Sequence, residues 1–172
     1  GIDPFFSRYP MRTFPVDVPI ACDPEAGLKA LREALREHRS KKEKDIRKRY
    51  MRLSQEHDVQ RAAWKAAAEK LKKDHPIDME WLSYCVGQVR DTDTVLINEY
   101  DLRAHQVPMN EPGSFFASPM SSGLGWCFGA TLGVKLARPD CVPIVCMGDG
   151  TYHFTAPTAC HFMAQNLPVV VV

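Results

Sequence analysis

The sequence predicts an α/β fold for residues 76–172, a parallel sheet with helices on both faces, and three observations carry that expectation. Short β-branched runs alternate with stretches of helical length and periodicity, the pattern of successive βαβ units. Helices of that length between strands imply right-handed crossovers, so neighbouring strands run parallel. The runs at 142–147 and 169–172 are apolar without alternation, as strands covered on both faces are.

Taken in order, residues 1 to about 20 are rich in proline and aromatics and predict short extended segments and turns. Asp23-Pro24-Glu25 opens a helix, with Asp23 as cap and Pro24 at the first helical position. Leu28, Leu31 and Leu35 share one face, so this helix is expected to pack on something. From 39 to about 73 the chain is strongly charged, and acids interleave with the bases Lys41, Lys42, Lys44, Arg47, Lys48 and Arg49. Ile46, Tyr50, Leu53, Trp64, Ala67 and Leu71 form a narrow apolar stripe, with His57 on it, which predicts a solvated linker helix rather than a nucleic-acid patch. His75-Pro76 is a break. A helix follows over 77–90 (Leu82, Cys85, Val86 and Val89 on one side), then a strand at 94–98 and a polar, proline-containing loop. The remainder predicts a helix of small residues at about 125–136, a strand at 142–147, the turn Gly148-Asp149-Gly150, a helix at about 155–165, and a strand from Val169. A buried parallel strand needs neighbours on both sides, so the run that ends at Val172 leads to the expectation of an incomplete fold.

Composition excludes some classes. The chain is 45% hydrophobic and 25% charged with a formal net charge of +1, which gives no global attraction to nucleic acid or acidic lipid. No apolar run approaches the roughly 20 residues that a membrane-spanning helix needs. The six cysteines contain no C-x-x-C pair, and several lie in apolar stretches, so structural thiols are expected. The first residues show no secretory leader, which favours a cytoplasmic protein.

In an open parallel sheet, ligands collect beyond the carboxyl ends of the strands. Two groups fall there: Glu99-Tyr100-Asp101 after the first strand and Gly148-Asp149-Gly150 after the second. The glycines let the backbone bend tightly and let an anion approach the peptide nitrogens, and Thr151 adds a hydroxyl at the start of a helix. Mg2+ takes one or two carboxylates together with phosphate oxygens and water, so Asp149 suffices as the first protein ligand. A strand-to-helix turn in which Asp149 is only a cap accounts for the tripeptide equally well.

The tripeptide is preceded by Pro119-Met120-Ser121-Ser122-Gly123-Leu124-Gly125-Trp126 and the small-residue stretch to Asp140. In order, spacing and residue type, residues 119–151 resemble the diphosphate-binding domain of the thiamine diphosphate-dependent acetolactate synthase and benzoylformate decarboxylase family. The resemblance covers about 76–172 and implies a truncated thiamine diphosphate-binding fold. Residues 1–38 would then be the remnant of a central domain, 39–75 a charged helical linker, and 76–172 the first part of the diphosphate-binding domain. It implies a cofactor-binding set of Asp101, Ser122, Gly123, Leu124, Gly148, Asp149, Gly150 and Thr151. Asp149 would bind Mg2+, and Gly150 and Thr151 would contact the diphosphate. Leu124 would wedge beneath the bent cofactor, and Ser122 would offer its carbonyl to the aminopyrimidine. Arg103 or His105 could offset the charge of Asp101, or each could equally be a plain surface residue; His153 could face substrate, though local hydrogen bonding is the favoured reading, and a core or surface role is the default for His161. The family's second metal-site residue would lie beyond Val172, and its activating glutamate belongs to a domain before Gly1.

The resemblance implies a decarboxylase or carboligase acting on a 2-oxo acid, inactive as this piece alone, and a homodimer or homotetramer. Two rivals remain: a non-catalytic scaffold or regulatory relative, and a dinucleotide-binding Rossmann domain. The latter wants G-x-G-x-x-G directly after a strand. Here Gly123-Leu124-Gly125 follows a long loop, and Gly129 comes one residue late.

Overall fold

The computed structural model of the chain describes residues 17–100, 102–109, 111–118 and 123–172. The chain divides into two units, Gly1–His57 and Asp58–Val172.

The first unit holds α1 (Pro24–Arg39), a single 3-10 turn at Ser40–Lys42 and the beginning of α2 (Glu43–Lys70). Asp23 caps α1 by accepting from the Ala26 N–H at 3.0 Å, and Pro24 stands at the first position, as its fixed φ and missing N–H favour. Glu25 in the first turn and Arg36, His38 and Arg39 in the last complement the helix dipole. Leu28, Leu31 and Leu35 are all exposed, so the packing expected of this face is not found among the described residues. Along α2 nearly every side chain meets solvent, His57 included, and the intrahelical pair Arg52–Glu56 at 2.8 Å is of the exposed kind that adds only tenths of a kcal/mol.

The second unit contains the end of α2, α3 (Met79–Val89), β1 (Thr94–Asn98), a 3-10 turn (Ala104–Gln106), β2 (Phe115–Ala117), α4 (Trp126–Ala137), β3 (Val142–Cys146), α5 (Asp149–Phe154), α6 (Ala156–Ala164) and β4 (Val170–Val171). Asp78 caps α3 through the Glu80 N–H at 2.7 Å. All three strand pairings are parallel, and the order across the sheet is β2-β1-β3-β4. Alternate side chains face opposite layers. Val95, Ile97 and Val145 pack with Cys127 and Phe128 of α4 and Phe162 of α6; Leu96, Ile144 and Cys146 pack with Val86 of α3 and with Leu102 and Val107. The parallel sheet with helices on both faces is thus present. Each fully buried apolar side chain contributes about 1.5–3 kcal/mol. Most of that lies in β1 and β3, the pair that carries the two candidate loops.

Two elements differ from the sequence expectation. β2 lies in what reads as a polar loop, because three residues are too few to show a period. A helix begins at Asp149, not near 155, and breaks at Thr155, since Pro157 has no N–H to donate to the His153 carbonyl and its ring would crowd it. β4 borders only β3 among the described strands, and Val170 and Val171 are 45% and 44% exposed. Among the described residues no helix is long and apolar enough to cross a membrane.

Candidate functional site

The chain leaves β1 toward β2 on one side and leaves β3 toward β4 on the other, so the strand order reverses between β1 and β3. At such a reversal the outgoing loops part and open a crevice at the carboxyl ends of the strands. Glu99 and Tyr100 follow β1 there, and Met147, Gly148 and Asp149 follow β3. The two loops approach closely: a Cβ built on Gly148 would lie 4.0 Å from the Tyr100 ring.

Asp149 is the first residue of α5, with Gly148 as its cap residue, and its side chain is exposed. Asp149 Oδ1 accepts from the Gly150 N–H at 2.8 Å. The first turn of a helix leaves N–H groups without intrahelical partners. Asp149 therefore stands at the N–H end of α5 with its carboxylate in solvent. Among the described residues no three His, Cys, Asp or Glu side chains converge as a ready metal cage. A divalent ion here would take one carboxylate from this chain and its other ligands from phosphate oxygens and water, a donor set that fits Mg2+.

Glu99 behaves otherwise. Its Oε1 accepts from the Gly125 N–H at 2.9 Å and from the Thr151 hydroxyl at 2.8 Å, and its Oε2 from the Cys127 N–H at 2.8 Å. Burial pushes this carboxyl up, but the hydrogen bonds from Gly125, Cys127 and Thr151 outweigh burial and leave it below its ordinary value. Glu99 thus caps α4 from 26 residues away in sequence and ties that cap to α5. Sequence reasoning placed Glu99 in a candidate loop but missed this role, because partners 26 to 52 residues distant leave no local pattern.

Thr151 is only 3% exposed and spends its hydroxyl proton on Glu99. The hydroxyl expected to face an anion is therefore engaged inside the protein, which leaves the Thr151 backbone N–H for that task. Gly123 and Gly150 are exposed and Gly148 half-buried. Leu124 is 62% exposed in the turn just before α4. Next to it, Gly125 has φ of 95°, and a Cβ there would come 2.4 Å from Thr155 Cγ2. The Leu124 turn is thus packed against the residues that follow α5. Asp101 and Ser122 lie outside the described residues.

Other candidates belong elsewhere. Arg103 and His105 both turn toward Glu80 of α3, at 3.9 Å and 2.9 Å, and Gln106 joins them through Glu80 and the Trp64 carbonyl. His153 is exposed beside the Tyr152 ring, and His161 is exposed in α6. Burial, with the Glu99 carboxylate beside it, pushes the Cys127 thiol up to about 12, and burial alone pushes Cys146 to about 11, so neither is a nucleophile near neutrality. An apolar groove of about 670 Å³ lies between α6 and β4, lined by Phe128, Phe162 and Leu167 among others, away from both carboxylates.

No curated protein matches the chain. A solved structure from Mycobacterium smegmatis, provisionally described as a thiamin diphosphate-dependent enzyme, is similar at 24% identity and a TM-score of 0.46. The similarity covers 52% of this chain and 19% of that one, so the chain spans less than one fifth of that protein's length. Residues 99–172, which begin at Glu99 and contain the whole β3 side of the crevice, match the family model described as the thiamine pyrophosphate enzyme, C-terminal TPP binding domain. That match supports a place for this segment in the thiamine pyrophosphate enzyme superfamily.

Proposed function

We propose that the intact protein is a thiamine diphosphate- and Mg2+-dependent enzyme that decarboxylates a 2-oxo acid or joins the product to an acceptor, in the manner of acetolactate synthase. This chain supplies the diphosphate and metal half-site. One observation carries the reading: where the strand order reverses, Asp149 stands exposed between two glycines at the start of α5, while the other carboxylate of the crevice, Glu99, is occupied by protein donors.

When bound, the cofactor supplies an electron sink for the carbon–carbon bond that breaks or forms. The protein's share is orientation. Asp149 would hold Mg2+, and the backbone of Gly150 and Thr151 would receive the diphosphate. Leu124 would press beneath the cofactor so that its two rings approach and proton movement between them becomes intramolecular. Asp101 and Ser122 keep the roles that the resemblance implies. The activating glutamate is expected from a domain outside this chain and across a subunit interface, so a cytoplasmic homodimer or homotetramer is the expected working form and this chain alone is not expected to turn over substrate.

The dinucleotide-binding rival meets a physical obstacle. A pyrophosphate would have to sit at the N-terminus of α4, where the Glu99 carboxylate already accepts from Gly125 and Cys127. Titration of the intact protein with thiamine diphosphate and Mg2+ in a calorimeter should show saturable binding, and Asp149→Ala should weaken it by at least about 100-fold, the loss of a charged partner. Unchanged binding by the Ala variant, or binding of NAD in place of thiamine diphosphate, sinks the assignment. Saturable binding with no turnover of any 2-oxo acid would favour the scaffold reading.

A further inference from the structure

We propose that Glu99 is a positioning residue of this site: by bridging the backbone that opens α4 to the Thr151 hydroxyl of α5, it sets the spacing between Leu124 and Asp149. The inference rests on the thiamine diphosphate reading and goes beyond it, since it assigns a role to a carboxylate that binds neither metal nor diphosphate.

Four observations converge on it. The Glu99 oxygens accept from Gly125 N, Cys127 N and Thr151 Oγ1 within 2.8–2.9 Å, so both are committed before any ligand arrives. Hydrogen bonds to an ionised acceptor are about twice as strong as neutral ones, and three of them on one group leave it little freedom. The residues that Glu99 holds are adjacent to, or themselves among, the residues that would touch the cofactor. Gly125 follows Leu124, and Thr151 lies two residues after Asp149 in the same helical turn. The contact is also close: Gly125, at φ of 95°, has no room for a Cβ against Thr155, so the Leu124 turn packs tightly on the residue that follows α5. Leu124 is 62% exposed, so its placement depends largely on the backbone that carries it. The diphosphate end and the wedge therefore sit on different segments of chain, and Glu99 hydrogen-bonds to both segments.

The role separates from a ligand role by comparing two probes. Inorganic pyrophosphate with Mg2+ needs only the α5 side, whereas thiamine diphosphate with Mg2+ needs α5 and Leu124 at the right spacing. In the intact protein, Glu99→Gln keeps the size but places an amide N–H against one of its three donors. It should weaken thiamine diphosphate binding by about tenfold or more, the loss of one hydrogen bond to a charged group, while pyrophosphate binding changes by less than about threefold. Thr151→Val removes the hydroxyl that links α5 to Glu99 and keeps the backbone N–H, so it should show the same split; Thr151→Ser restores the hydroxyl and should lose less thiamine diphosphate affinity than Thr151→Val. Equal losses for both probes in Glu99→Gln, or parent-like binding of thiamine diphosphate, overturn the inference. Should Glu99→Gln fail to fold, the Thr151 pair decides: a Val variant indistinguishable from the Ser variant overturns it as well. A parent protein that binds neither probe overturns the functional reading and this inference with it; a parent that binds both, with no split in the variants, overturns the inference alone.

Discussion

Glu99 and Asp149 follow neighbouring strands of one sheet, yet they are different chemical objects. Glu99 accepts from three protein donors and is partly withdrawn from water; Asp149 projects into solvent. A folded-state pKa below the ordinary 4.5 means that ionised Glu99 stabilises the fold, and the sign follows. The contribution is present in full above about 4.5, where the unfolded carboxyl is also ionised, and is lost as pH falls through the lower folded value. Glu99→Gln should therefore cost about 2 kcal/mol near pH 7. The gap between parent and variant should narrow as pH drops below 4.5, the ordinary value of this group. Urea denaturation at pH 7 and again near pH 3 measures it, and a gap of equal size at both would contradict the cap. Asp149 was legible in the sequence because its two glycines mark it out. The bridging function of Glu99 was not, because a long-range cap is a property of topology and carries no spacing rule.

At the scale of elements, α3, β1, α4 and β3 were legible because each is long enough to show its period and is bounded by turn residues. The failures have separate causes. β2 is three residues long and draws its identity from pairing with β1, in register Leu96 to Phe115, which no local pattern announces. Gly-Asp-Gly reads as a turn because glycine is a poor helix former, yet Gly148 serves as the cap residue and Asp149 sits at the favourable acidic first position, which lets α5 start there. The junction of the Leu124 turn with α4 can be tested directly. Gly125→Ala puts a Cβ into left-handed backbone, at about 1–2 kcal/mol, and into Thr155, which adds an overpacking cost of similar size. A total loss of about 2–4 kcal/mol is expected on denaturation, and a loss well under 1 kcal/mol would mean that this turn is not packed as described.

For the Asp58–Val172 unit as a whole, the buried apolar residues concentrate in β1 and β3, and the candidate crevice opens at the ends of those same two strands. A rigid centre with its loops parting above it is what a preformed site requires, because ordering the loops at the moment of binding would cost affinity. Amide hydrogen exchange on the intact protein should accordingly find β1 and β3 the slowest segments and the three-residue β2 faster. Thiamine diphosphate with Mg2+ should then slow exchange at 123–127 and 148–152 together, because Glu99 couples the two segments even though 26 residues separate Gly125 from Glu99 and 52 separate Thr151 from it. Pyrophosphate with Mg2+ should protect mainly 148–152. If thiamine diphosphate protected only one of the two segments, the Leu124 turn and the Asp149 turn would be separate features of the rim and not one site, and the proposed geometry would fail for the molecule even if each residue stood where it is described.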